Sequence, residues 1–155
     1  MKKVGRNNPF GVTDGRAKPA TEAQVARLEK RLGARLPEDY RRFLMTINGG
    51  RRPGGGWEVP EHDVFIDTFY GLRGDFYDLA DAVARVLRRE PGTTHLPPNA
   101  IPIGSELGGT RILMKYRGEA VGSIWCKARR TSGSRNRPRG VTKSSRCWRI
   151  AWRHP

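Results

Sequence analysis

Two helical apolar stripes follow one another between Thr21 and Gly50 with almost no chain between them, and this pairing constrains the fold more than any other stretch of the 155 residues. In "TEAQVARLEKRLG", Thr21 stands at a helix N-terminus with Gln24 three residues on, the spacing of a capping box. Val25, Leu28 and Leu32 then recur on one face, and Gly33 supplies a left-handed stop. "LPEDYRRFLMTINGG" begins at once. Pro37 suits a first helical turn, Glu38 and Asp39 complement the positive helix N-terminus, and Tyr40, Phe43, Leu44 and Ile47 make the second stripe before Asn48 and Gly49 end it. Two short amphipathic helices cannot bury both stripes by themselves, so a further apolar layer must come from the rest of the chain.

That layer reads as a sheet. "RRPGGGWEVPEHD" is rich in turn residues and gives way to "VFIDTFYGL", whose β-branched and aromatic content points to strands. A third helix fits "DFYDLADAVARVLRRE", with Leu79, Val83, Val86 and Leu87 at helical spacing and Pro91 and Gly92 closing it. Beyond it the period changes. Ile101 and Ile103 flank a proline, and "RILMKY" and "AVGSIW" are short extended runs around a hairpin turn at Gly118. There is no internal repeat. The expectation is an α+β domain over residues 19–126, with helices packed on a mostly antiparallel sheet.

The formal charge is +15, which by itself points towards nucleic acid or an anionic membrane. Its distribution qualifies that reading. Residues 127–155 hold ten Lys or Arg and no acid, and residues 1–18 hold five against Asp14 alone, leaving fifteen basic and fourteen acidic residues between 19 and 126. The body is nearly neutral between a flexible basic arm, residues 1–18, and a basic Arg/Ser-rich tail, residues 127–155, whose composition predicts disorder.

Cys126 and Cys147 make neither a disulfide framework nor, with three histidines, a zinc pattern. A reducing compartment is expected. No signal peptide or membrane span is legible at the N-terminus, which points to a cytoplasmic protein without a membrane partner. Catalysis finds little support. His62, His95 and His154 are scattered, "EHD" at 61–63 would alternate faces on an extended segment, and "PGGGW" lacks the Lys-Ser or Lys-Thr of a phosphate-binding loop. A non-enzyme with no metal and no cofactor is expected.

The ordered succession of "LEKRLGARLPEDYRRFLMTINGG", an aromatic strand region, "LPPNAIPIGSELGGTRILM" and "GEAVGSIW" resembles the SUKH superfamily, which includes fungal Smi/Knr-type cell-wall regulators and many bacterial immunity proteins. The likeness runs from about Thr21 to Trp125. Among the residues that carry it are Glu29, Leu36, Pro37, Tyr40, Asn48, Gly49, Gly50, Ile103, Gly104, Gly108, Gly109 and Trp125. Most read as core or turn residues. Glu29 lies just off the apolar stripe, where it serves either recognition or the satisfaction of a nearby amide or basic side chain.

The likeness stops after Trp125. Relatives finish with a helix reading approximately Ala-Asp-Ser-apolar-Ala, whereas this chain carries the basic tail. Codons taken from the third base onward across "VTKSSRCWRIAWR" must give Leu at the Cys147–Trp148 junction and permit D-E-V-V-x-L-L-A-D-S-L-A overall. The hypothesis is that residues 127–155 are out-of-frame translation; an intact frame on independent genomic reads would end it.

What the resemblance implies is a protein-binding module of the immunity type, which neutralises a cognate toxin, a nuclease or another nucleic-acid-modifying enzyme, by direct binding. Trp57, Glu58, Glu61, Asp63, Asp67, Tyr70, Asp75 and Asp78 form an acidic and aromatic stretch able to imitate phosphates and supply anchors to a basic enzyme. Against this, Phe65 and Phe69 read equally as core, and Asp75 and Asp78 as caps of the third helix. The alternative is a nucleic-acid-binding protein acting non-specifically through its tail, with Trp148 and Trp152 available for stacking. The oligomeric state is not legible.

Overall fold

The structure, a computed structural model, describes residues 18–51, 57–59, 64–72, 78–106, 108–126 and 147–148. The arm at 1–17 and all of the tail except Cys147 and Trp148 lie outside the described residues. The elements run α1 (Glu22–Leu32), α2 (Glu38–Thr46), β1 (Gly50–Arg51), β2 (Trp57–Val59), β3 (Val64–Phe69), α3 (Leu79–Leu87), β4 (Ala100–Glu106), β5 (Arg111–Lys115), β6 (Ile124–Cys126) and β7 (Cys147–Trp148). This is the α+β architecture that the patterning predicts.

The capping box of α1 forms in both directions. The Gln24 amide donates to the Thr21 hydroxyl at 3.2 Å, and the Thr21 amide donates to Gln24 Oε1 at 2.8 Å. Gly33 closes the helix in the left-handed region, and its amide donates back to Lys30. At α2 Pro37 takes the N-cap position, one residue ahead of the first-turn place that the sequence offered it. Asn48 and Gly49 both have positive φ, 59° and 79°, and turn the chain directly into β1. A side chain at Gly49 would stand 2.6 Å from the Gly71 nitrogen, so the position admits glycine alone.

All strand pairs are antiparallel, in the order β1-β3-β4-β5-β6-β7, with β2 also paired to β3. Facing residues Ile101, Met114 and Ile124 share one face in register and are buried. With Ile66, Phe69, Ile103 and Ile112 they join Val25, Leu28 and Leu32 of α1, Tyr40, Phe43, Leu44 and Ile47 of α2, and Leu79 and Val83 of α3 in a single core. Burying each large side chain of this kind contributes roughly 1.5–3 kcal/mol. β4 carries a bulge between Pro102 and Gly104, and there a Cβ on Gly104 would strike the Thr68 carbonyl oxygen.

Two details differ from the sequence expectation, and a third, the capping of the third helix by Asp78, bears it out. The turn-rich stretch after Gly50 contains two short strands, β1 and β2, because β3 offers partners that the local sequence does not reveal. The third helix is capped by Asp78, whose carboxylate accepts from the Asp81 amide at 2.9 Å; its expected start in "DFY" lies outside the described residues. Its stripe also ends early, since Val86 is half-buried and Leu87 is 45% exposed, the helix stopping there as the chain turns through Arg88 and Arg89.

Candidate functional site

The described part of the acidic and aromatic stretch lies on β2, on and just after β3, and at the start of α3. Trp57 and Glu58 belong to β2, and Glu58 stands opposite Phe65 of β3. Phe65 is 42% exposed, whereas Phe69, four residues on, is buried against Phe43 with ring centroids 5.3 Å apart. One of the two phenylalanines is thus core and the other is surface. Glu61, Asp63 and Asp75 lie outside the described residues.

Asp67 is already engaged. Its carboxylate accepts from the Thr68 hydroxyl at 2.7 Å and from the Arg51 guanidinium at 2.9 Å. Burial, the largest single influence, pushes the carboxyl up; the Thr68 hydroxyl and the Arg51 charge together outweigh it and hold the group below the usual carboxylate range. Tyr70 is half-buried against the core and its amide donates to the Ile103 carbonyl at 2.8 Å. Asp78 caps α3 and bridges to Gly71. Among the described members of the stretch, Asp67 pairs with Arg51 between β1 and β3 and Asp78 caps α3, whereas Phe65 faces solvent.

The motif residues are positioned otherwise. Glu29 accepts from the Leu36 amide at 2.8 Å and from Arg41 at 2.5 Å. Arg41, with its side chain 6% exposed, also pairs with Glu22 and lies 3.7 Å from Glu38, so one guanidinium ties α1 to α2. The Glu29 hydrogen bond, ahead of the other carboxylate contacts and against the cost of burial, raises its pKa further and keeps it charged. Arg41 escaped sequence reasoning because a charged residue beside the apolar stripe of Tyr40, Phe43 and Leu44 reads as solvated; the signal it offered was its spacing of three from Glu38.

Tyr40 is fully buried, its ring 5.8 Å from that of Phe43, and its hydroxyl finds no partner among the described residues. Burial raises its pKa above the ordinary phenol value. Leu36 and Ile103 are core. The Asn48 side chain donates to the carbonyls of Lys18 and Leu72 and accepts from the Leu72 amide, joining the start of the domain to the segment after β3. Gly50 begins β1, Gly104 lies at the bulge, Gly108 and Gly109 form the exposed β4–β5 turn, and Trp125 stands on β6 opposite Leu113 and Cys147.

The profile of the SMI1 / KNR4 family (SUKH-1) matches residues 19–143. The chain belongs to this family. The SUKH-1 match starts two residues before Thr21, and it continues past Trp125 into the basic segment. No curated protein matches the chain. Within the SUKH-1 domain, no cluster of three or more His, Cys, Asp or Glu is placed to hold a metal among the described residues. No helix among them is long and apolar enough to cross a membrane.

Proposed function

We propose that this SUKH-1 domain is an immunity protein that neutralises a cognate toxin by direct binding, without chemistry of its own and in the cytoplasm. The single observation that carries the reading is membership of SUKH-1 over residues 19–143. The contact surface proposed is the sheet edge around Trp57, Glu58, Asp67 and Tyr70, extended by Glu61, Asp63, Asp75 and Asp78. The exposure of Phe65 beside that edge supports it, since an aromatic side chain there is available to fill a pocket of the partner. The toxin expected is a basic enzyme acting on nucleic acid, for which carboxylates imitate phosphates.

The test is co-expression with the product of the neighbouring upstream gene, which the proposal requires to be a toxin. Growth should be restored by the native chain and lost on Phe65→Asp with folding intact by circular dichroism; toxicity undiminished by the native chain would sink the proposal. A second reading, nucleic-acid binding through the tail, rests on the ten basic residues and no acid after Cys126. It requires duplex affinity to vanish when residues 127–155 are deleted.

A further inference from the structure

Helix α1 sorts its charges around its axis. At 3.6 residues per turn Val25, Leu28 and Leu32 face the core, while Glu22 and Glu29 lie on the flank towards α2, where Arg41 takes both. Arg27, Lys30 and Arg31 fall on the side away from the core. All three are exposed, and none forms an ion pair among the described residues. Elsewhere on the helical surface, Arg35 pairs with Glu38, Arg85 with Asp81 and Arg88 with Glu90. The fold thus spends the carboxylates of α1 on its inner flank and leaves its cations uncompensated outside.

We infer that the outer face of α1, through Arg27, Lys30 and Arg31, binds the phosphate backbone of nucleic acid, as a surface of the folded domain distinct from the basic tail. Cations in the last turn of a helix also complement its dipole, which accounts for Lys30 and Arg31; Arg27 lies a turn earlier, where that effect has faded. A protein partner fits the face less well. Protein interfaces are built on buried apolar anchors, and among the described residues none of the exposed large hydrophobic side chains, Phe65, Leu87 and Val121, belongs to α1. Small Ala23 lies on the same side of the helix, between the directions of Lys30 and Arg27, and leaves room for close approach. A row of cations without an anchor matches a repeating phosphate chain, and the charge of +15 keeps such a polyanion near. This inference stands independently of the immunity reading.

The experiment uses the full chain, a random-sequence DNA duplex and poly-glutamate, with affinity measured across a salt series. Replacing all three residues, Arg27→Gln, Lys30→Gln and Arg31→Gln together, should lower the slope of log K against log salt by about 0.9 for each phosphate no longer neutralised. The control Arg85→Gln, Arg88→Gln and Arg89→Gln, in the last turn of α3 and just beyond it, should leave the slope unchanged. Three results overturn the inference. One is an unaltered slope with a lower melting temperature, which assigns the cations to the helix dipole. Another is an equal fall in both variants, which assigns binding to net charge. The last is an equal loss of poly-glutamate binding, which assigns the face to an acidic protein. If the α1 variant fails to fold, Arg27→Gln alone carries the test, with a slope change of about 0.9.

Discussion

The α1–α2 corner and the β1–β3 edge both join an arginine to a carboxylate, and they differ in how much of the pair water reaches. Arg41 is 6% exposed and Glu29 16%, whereas Arg51 is 46% exposed and Asp67 18%. At the corner Arg41 and Glu29 have left water, so removal of either strands the other, while Glu22 and Glu38 reach Arg41 from the solvent side. At the edge the arginine remains hydrated, and its pairing contributes little. The same chemistry is therefore structural at one place and adjustable at the other, which is what a partner-binding edge on a firm scaffold requires.

Substitutions sharpen this contrast. Arg41→Ala should destabilise the domain by about 3 kcal/mol in urea unfolding, because Glu29 would be left half-desolvated without its countercharge; a loss no larger than that at the edge would remove the distinction. Asp67→Asn should act through pH and more weakly. A carboxyl held low in the folded state stabilises it above the ordinary unfolded value near 3.9, and that stability disappears as pH falls through the folded value. The native chain should therefore lose more stability than the variant on acidification below about pH 4, by at most about 1 kcal/mol, and parallel acid limbs would show that the Asp67 pairing makes no such contribution. Arg51→Ala should cost the least, about 0.5 kcal/mol at neutral pH. A cost near that of Arg41→Ala would mean that the edge is as firmly built as the corner.

What the sequence revealed divides along the same line. Thr21, Gln24, Gly33, Asn48 and Gly49 announce the ends of α1 and α2 because caps are local, and the apolar stripes of those helices are local too. β1 and β2 could not be read, since three or fewer residues carry no periodicity and become strands only when β3 lies alongside. Phe65 and Phe69 look alike in sequence; the bulge between Ile66 and Thr68 helps to send them to different environments, and no composition records a bulge. Arg41 and Glu29 show the limit for polar groups. For Glu29 the satisfaction of an amide and a basic side chain was one of two readings open in the sequence, and it is what the Leu36 amide and Arg41 bear out; that the basic partner is Arg41 becomes visible only when both helices are placed.

Asn48 has a practical corollary. By gripping the Lys18 carbonyl at 2.8 Å and the Leu72 carbonyl at 3.1 Å, it fixes where the chain emerges at the start of the domain, beside the strand region proposed for partner contact. A purification tag or fluorophore fused ahead of Lys18 will therefore leave the domain next to that edge, where it reports on docking or obstructs it.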